Sequence, residues 1–423
     1  MTSRLRILFL ASYFPKPDNP LMGTWALTQA QALARQEVEL RVVSFTSWVP
    51  RALAKTVGAK AYANCPEVYT WHGGVQVHYP RWLYYPVPPV KQWAYRHPQP
   101  YLSLAKWSAE RYLYQQMESF KPDVLFCHHA LPNGWLVAQS SKAAEIPLIT
   151  SDYDFDEISD CRNYLSRKQA LAAVVKRASV MLCASKRMEK EYKSLFPGIE
   201  EINAKFRTLH HAITPLSVEM LQAKRPAIFD HQQIVLSCAL FAERKGIPTL
   251  VEAFHQVSSK HPNAILRIIG GGPEEQKIRE TVARLDLTDR VQLVGKKPHQ
   301  EVLQEMVWAD CFALVGWDEP FATVYLEAMA AGKPIICCND GGITDVVQDG
   351  VHGYTVPPRS VAATAEAIDR MLSNSAQRLQ MGHNAQRLIQ QHLTWEVKAK
   401  ELIQLMETAV RSHRQPSLST AIS

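Results

Sequence analysis

The chain has 423 residues, of which 47% are hydrophobic and 21% charged; it is too long for one compact core and is expected to form two domains of ordinary size. This balance excludes collagen, a disordered chain and a small disulfide scaffold. The net charge of +7 is unevenly divided: residues 1–213 hold 26 Lys and Arg against 17 Asp and Glu, or +9, and the rest hold 21 against 23, or −2. A basic half suits an anionic membrane, an anionic substrate or nucleic acid, and charge alone does not choose among them.

At the N-terminus, residues 1–6 lead directly into Ile7-Leu8-Phe9-Leu10. The apolar stretch is too brief for a signal peptide and a Pro-rich segment follows it, so it reads as the first strand of a cytosolic protein. No apolar run approaches the roughly 20 residues needed to span a bilayer. Near-continuous apolar runs predict strands at 7–11, 39–43, 124–127, 148–150 and 180–184, then at 234–238, 265–269, 291–294, 311–315 and 334–338. Such runs suit parallel strands covered on both faces. Amphipathic stretches such as 25–35, 248–259 and 323–331 predict helices between them. Two strand–helix series, separated by an irregular stretch around 212–233, predict two doubly wound α/β domains.

The segment from Tyr79 to Tyr114 is rich in Tyr and Trp, including Trp82, Tyr84, Trp93, Tyr95 and Trp107. It also carries Arg81, Lys91, Arg96, Lys106 and Arg111, with Glu110 as its only acid. Aromatic and cationic side chains suit the boundary of an anionic membrane; the same aromatics could equally pack on their own domain. Eight cysteines, at 65, 127, 161, 183, 238, 311, 337 and 338, form no Cys-x-x-Cys pair and read as buried free thiols, with no metal site expected.

The strongest chemical signal is Glu319-Pro-Phe-Ala-Thr-Val-Tyr-Leu-Glu327, continuing Ala-Met-Ala-Ala-Gly332-Lys-Pro334. It follows the strand at 311–315 and leads into a helix, at the edge where open α/β sheets bind ligands. A helix start presents free N–H groups that favour an anion such as phosphate. Glu327 is expected two turns in, up to about 12 Å from Glu319. Two carboxylates so placed could grip hydroxyls at the two ends of a nucleotide-sugar, its pyrophosphate lying between them.

On these residues the sequence resembles the retaining GT-B glycosyltransferases of glycosyltransferase family 4. Their signature is Glu-x7-Glu followed by Ala-Met-Ala-x-Gly-x-Pro, reproduced here from Glu319 to Pro334. Lys245-Gly246, Ile269-Gly-Gly-Gly-Pro273, Gly341-Gly342 and the run from Asp349 to Pro358 fit as well. The likeness spans roughly residues 5–410 and is denser in the second half. It implies two Rossmann-like domains facing across a cleft: residues 1–213 on the acceptor side, and residues 214–391 holding the nucleotide-sugar. Leu393-Thr-Trp395-Glu396 would open a helix crossing back to the first domain over 392–411, with a disordered tail at 412–423.

By the same resemblance, Lys245 would contact the donor pyrophosphate, with Arg244 assisting. Glu319 would contact the transferred sugar, and the amides of Phe321, Ala322 and Thr323 would approach sugar or phosphate. Glu327 would bind the ribose, and Lys297 base or ribose. Gly23 matches the glycine of a loop near the donor phosphates, and His129 of the pair His128-His129 lies where relatives often carry His. Two departures stand out. Relatives place a His-Gly-x-Asp element where this chain reads Thr150-Ser-Asp-Tyr-Asp-Phe-Asp156, so Asp152, Tyr153 or Asp154 takes the place of that His. Leu240 stands where relatives carry Arg, which leaves Arg244 as the replacement cation.

The implied reaction is retaining, metal-independent transfer of a sugar from a UDP-, GDP- or ADP-sugar, with Lys245, Glu319, Asp152 and His129 as the catalytic candidates. The expected acceptor is lipid-linked or a saccharide, in polysaccharide or glycolipid assembly. No cofactor and no nucleic-acid partner are expected, and the place of work would be the cytoplasm or the anionic inner face of the plasma membrane. A sugar-nucleotide epimerase of the same architecture, and a non-catalytic nucleotide-sugar-binding protein, are the alternatives.

Overall fold

The computed structural model describes residues 4–20, 22–85, 90–153 and 155–414. Asp154, the Lys91 side chain and residues 415–423 lie outside the described residues. The chain forms two compact units, one of residues up to His210 together with those from Trp395 on, the other His211–Thr394.

Unit 1 is built on β1 (Leu5–Leu10), β2 (Val38–Val43), β3 (Thr46–Ser47), β4 (Val68–Thr70), β5 (Gln76–His78), β6 (Arg81–Trp82), β7 (Val124–His128), β8 (Leu148–Asp152), β9 (Val180–Cys183) and β10 (Phe206–Thr208). Eight of these make one sheet in the order β10-β9-β8-β7-β1-β2-β5-β4, parallel except for the β4–β5 edge, while β3 and β6 pair separately. Unit 2 carries β11 (Gln233–Leu240), β12 (Ala264–Gly271), β13 (Val291–Gly295), β14 (Cys311–Leu314), β15 (Ile335–Cys338) and β16 (Gly353–Val356). Its parallel sheet runs β13-β12-β11-β14-β15-β16, the doubly wound order with its reversal between β11 and β14.

Each strand expected from an apolar run is present. Ile7–Leu10, Val124–Cys127 and Ile335–Cys338 are buried on both faces, as helix-covered parallel strands require. The strands that the apolar pattern did not reveal are short or lie at an edge, and every residue of β4 is exposed. Six of the eight cysteines sit in strands, and all eight are free thiols; Cys238 is half-buried and the other seven are buried.

The aromatic segment divides between two fates. Tyr79, Trp82 and Tyr101 join the core, whereas Trp93 and Trp107 on the helices Val90–Arg96 and Pro98–Phe120 stay exposed. The last helix, Trp395–Arg414, runs three residues beyond the expected end and packs on the helix Thr24–Ala34 of its own unit. Ion pairs fasten it there, Arg35 to Glu396 at 2.5 Å and Arg414 to Asp123 at 2.7 Å. No described helix is long and apolar enough to cross a membrane.

Between β1 and the helix Thr24–Ala34 the chain buries Lys16, which is 2% exposed. Its ammonium lies 4.6 Å from the ring centre of Tyr62 and 5.6 Å from that of Tyr79, with the Phe14 carbonyl at 3.4 Å. The Tyr79 hydroxyl donates to the Pro15 carbonyl at 2.6 Å and accepts from Trp71 Nε1 at 2.8 Å, so the loop is anchored on both sides of the lysine. Desolvation depresses the Lys16 pKa from 10.5 to about 8, a cost of about 3 kcal/mol. Between pH 8 and 10.5 the unfolded chain binds this proton and the folded chain does not, so stability rises with pH across that window. Lys16→Met is therefore expected to raise stability by up to about 3 kcal/mol below pH 8, with the gain shrinking towards pH 10.5. Urea unfolding of both proteins at pH 7 and pH 10 checks this; a less stable variant at both values would show that the ring contacts outweigh desolvation.

Candidate functional site

In unit 2 the chemistry begins where β11 ends. A turn over Glu243–Lys245 leads through Gly246, at φ 65°, into the helix Ile247–Ser258. A Cβ on Gly246 would sit 2.5 Å from the Val315 carbonyl oxygen, so only glycine lets this turn lie against the end of β14. The Trp317 amide donates to the Arg244 carbonyl at 2.9 Å and seals that approach.

The close approach delivers two cations to one acid. Glu319 is 3% exposed, and its Oε1 accepts from Lys245 Nζ at 2.6 Å and from Arg244 Nη1 at 3.0 Å. The Glu319 carbonyl accepts the Gly342 amide at 2.9 Å, which ties the acid to the loop after β15. One carboxylate cannot neutralise two cations, so the trio keeps a net positive charge beside a buried acid. Arg244 is half exposed and can turn towards an anion.

The helix after Glu319 spans Thr323–Ala330. Phe321 is buried, and Ala322 precedes the first turn without a side-chain cap, leaving first-turn amides for an anionic ligand. Glu327 lies one turn inside this helix, because the helix starts four residues after Glu319 and not at it; the expected spacing of two turns is corrected accordingly. Its Oε1 meets His299 Nε2 at 2.9 Å. His299 opens the helix His299–Trp308 and was not foreseen from the sequence, since a lone histidine at a helix start carries no spacing signal. The hydrogen bond that His299 donates to Glu327 raises its pKa above 6.5 against desolvation, with the carboxylate charge adding to it. Lys297 is placed against Glu301 at 3.0 Å and Glu305 at 3.8 Å, and Glu305 also holds Arg267 at 2.6 Å. Leu240, at the end of β11, is 59% exposed, an apolar side chain on open surface.

Unit 1 presents residues at the corresponding carboxyl edge, after β1, β7 and β8. Gly23 precedes the helix Thr24–Ala34 at φ 79°, and a Cβ there would lie 2.3 Å from the Tyr13 carbonyl oxygen. His129 adopts a left-handed φ of 64°, an uncommon conformation for a non-glycine residue, and its amide donates to the Ser151 carbonyl at 2.8 Å. The two histidines part company here. His128 is buried, with Nε2 2.7 Å from Gln29 Oε1, whereas His129 is half-buried with Tyr13 edge-on at 5.4 Å. Asp152 is 3% exposed, and its Oδ1 accepts the Ala130 amide at 3.2 Å, so it ties down the residue next to His129. Burial pushes the Tyr153 hydroxyl up to about 12.

Residues 22–215 match the family described as Glycosyltransferase Family 4, and residues 220–388 match Glycosyl transferases group 1. The chain belongs to glycosyltransferase family 4. It is similar to the putative teichuronic acid biosynthesis glycosyltransferase TuaC of Bacillus subtilis, 27% identical over 381 residues, covering 86% of this chain and 89% of that one. It is also similar to N-acetyl-alpha-D-glucosaminyl L-malate synthase of Bacillus anthracis, 24% identical over 333 residues, covering 78% and 84%. Among solved structures, sucrose-phosphate synthase from Thermosynechococcus elongatus superposes with a TM-score of 0.72 at 21% identity over 96% of this chain and all of that one. Anabaena Alr3699/HepE in complex with UDP superposes with a TM-score of 0.67 at 17% identity, over 96% and 100%. These structural likenesses speak for the fold, the two Rossmann-like α/β domains of GT-B glycosyltransferases.

The His299–Glu327 pair in this glycosyltransferase gives a direct test of the site's geometry. Its stabilising contribution is present below the ordinary histidine value and is lost as pH rises through the raised one. In an NMR titration, His299 is expected to titrate above 6.5 and to return to the ordinary range in Glu327→Gln. An unchanged titration in that variant would show that the two side chains do not meet in solution.

Proposed function

We propose that this glycosyltransferase moves a sugar from a nucleoside diphosphate-sugar to a hydroxyl of a lipid-linked or saccharide acceptor, with retention of anomeric configuration and without a metal or cofactor. The observation that carries the donor half is the Arg244–Lys245–Glu319 cluster. Two cations converge on a buried carboxylate, next to a helix start with no side-chain cap. A pyrophosphate arriving there takes over the cations. Glu319, relieved of them, accepts hydroxyl hydrogen bonds from the sugar while Lys245 offsets charge building on the leaving phosphate. Glu327, oriented by His299, serves the ribose hydroxyls. Lys297 is assigned to base or ribose, and the amides of Phe321, Ala322 and Thr323 to phosphate or sugar.

In the step itself the acceptor oxygen bonds to the anomeric carbon as the bond from that carbon to the phosphate oxygen breaks. The acceptor proton passes to the leaving phosphate oxygen, on the face from which the phosphate departs, which accounts for retention. Catalysis then rests on positioning and charge stabilisation. Gly23 brings its loop to the donor phosphates, His129 contacts the reacting sugar, and Asp152 holds the backbone that carries His129. The lipid-presented acceptor is supported by the +9 charge of residues 1–213 and by exposed Trp93 and Trp107 near Arg96 and Arg111 in sequence. The working place this implies is the cytoplasmic face of an anionic membrane.

Thermal-shift screening against UDP-, GDP- and ADP-sugars is expected to reveal the donor as the ligand that raises apparent stability. With that donor, Lys245→Ala and Glu319→Ala are each expected to lower kcat by at least about 100-fold. NMR of the product should show the anomeric configuration of the donor, and donor incubated alone should yield no isomeric nucleotide-sugar. A trapped covalent glycosyl-enzyme would overturn the step, and turnover that survives both substitutions would overturn the site.

A further inference from the structure

Unit 1 has cavities at both edges of its sheet. The one at the carboxyl edge, walled in part by Tyr84, Tyr95 and His129, lies among residues already assigned to transfer. The other is an open cleft of ≈ 1100 Å³ at the amino edge, where β9 and β10 begin. Parallel pairing sets Phe206 opposite Met181, and this brings Lys205 and Arg207 beside the end of the helix Leu165–Arg177. Phe206 is buried and stacks on Tyr192, so the two cations flanking it in sequence share the opposite face of the strand. The far wall is the last helix, which lends Leu405 and Ala409 and, one turn apart, the hydroxyls of Thr408 and Ser412.

Arg177, Lys205 and Arg207 line this cleft, and no Asp or Glu does among the described residues. Their hydrogen bonds go to backbone carbonyls. Lys205 Nζ donates to Val175 at 3.0 Å and Lys176 at 2.5 Å, and Arg207 Nη1 to Ala204 at 2.6 Å and Phe206 at 2.9 Å. Arg177 Nη2 donates to Ile146 at 2.6 Å and to Ala143. None of the three pairs with a described carboxylate; Glu145 and Glu201 act on Arg177 and Lys205 only through charge at longer range. Each arginine spends one terminal nitrogen on these bonds, so the rest of its planar fork remains for an oxyanion. Burial, followed by the charge of Arg177, holds the Lys205 ammonium below its ordinary pKa. The two cations repel each other, and an anion between them would relieve both.

Capping of helix ends is the plainer role for such side chains, and its size shows that it is not the whole account. The helix Leu165–Arg177 ends at the cleft, and the last helix brings its final described turn there with His413. A helix C-terminus carries about half a negative charge, so both together offset about one of three positive charges and leave about two. A phosphomonoester, at about −1.5 to −2, matches that excess, and a monocarboxylate does not. Its terminal oxygens suit the forks of Arg177 and Arg207 and the ammonium of Lys205. No Phe, Tyr or Trp lines the cleft among the described residues, so it lacks the stacking surface that a single-stranded nucleic acid uses.

We propose that this cleft is a second anion site, which binds a phosphomonoester or pyrophosphate group, free or on a lipid headgroup, through Arg177, Lys205 and Arg207. Its residues take no part in the transfer reading, so the site stands or falls apart from it. The cleft lies between β10 and the last helix, and a bound anion would therefore tie that helix to the sheet.

The test is histidine side-chain NMR on the full chain, in which His413 reports this cleft and His299 reports unit 2. Inorganic phosphate, pyrophosphate, acetate and malonate are titrated in separately. The His413 signal is expected to saturate with phosphate or pyrophosphate at concentrations about tenfold or more below those of acetate and malonate. Arg207→Ala, at an exposed residue, and Lys205→Gln should each weaken that binding about tenfold. An unchanged His299 signal before titration and an unchanged circular dichroism spectrum serve as controls for folding. Flotation with phosphatidylcholine vesicles that contain phosphatidate or, in equal proportion, phosphatidylglycerol separates the two sources. Flotation that favours phosphatidate and falls in Arg207→Ala assigns the site to a lipid headgroup. Saturation of His413 by the free anions, with equal flotation of both proteins, assigns it to a soluble phosphate. A His413 signal that never saturates with phosphate or pyrophosphate would overturn the proposal. So would malonate binding as tightly as the phosphates, or affinities unmoved by both substitutions.

Discussion

One carboxylate oxygen shared by two cations organises the donor side of this protein. Glu319 is almost fully buried, and a buried carboxylate persists as an ion only if it is paired and hydrogen-bonded. Lys245 and Arg244 meet that requirement with one charge to spare. The backbone makes the arrangement possible, since Gly246 accepts a close approach to Val315 that no side chain would allow. Charge, burial and backbone geometry therefore depend on each other here. Removing the acid would free two cations, while removing the glycine would push the turn that carries them away from β14.

Unit 1 is organised by a different constraint, the anchoring of loops at the carboxyl edge of its sheet. Gly23 lets the segment after β1 fold back onto Tyr13. Asp152 holds the Ala130 amide, and the Ser151 carbonyl holds the amide of His129 in its left-handed conformation. Lys16 carries a desolvation penalty of its own, as a buried ammonium whose near neighbours are two aromatic rings and a carbonyl. Strained or desolvated groups persist where the surroundings over-determine them, and here they stand beside residues assigned to sugar and phosphate.

The aromatic segment shows how one composition can serve three physical roles. Tyr79 and Tyr101 stabilise the core, Tyr84 and Tyr95 wall a cavity, and Trp93 and Trp107 remain at the surface. Net charge behaves the same way. A half-chain of +9 contains a cavity lined by Asp156, Glu157, Asp160 and Arg167, so the mean charge of a half-chain does not set the residue types at one of its cavities.

The sequence by itself determined the strand–helix alternation, the doubly wound class and the pair of acids, Glu319 and Glu327, around the helix start after β14, because periodicity and short motifs depend on neighbours along the chain. Apolar runs located the central strands to within a few residues. Edge strands such as β4 escaped because their residues face water and lack that pattern. Tertiary structure alone decided that Glu319 holds Lys245 and Arg244, residues some 75 positions away, and that His299 meets Glu327. It also decided that Lys16, of a residue type usually found at the surface, is buried, and that His128 packs while His129 lines a cavity. The reason is that pairing, burial and charge sign at a site depend on which strands become neighbours, and that order does not follow sequence order in either sheet.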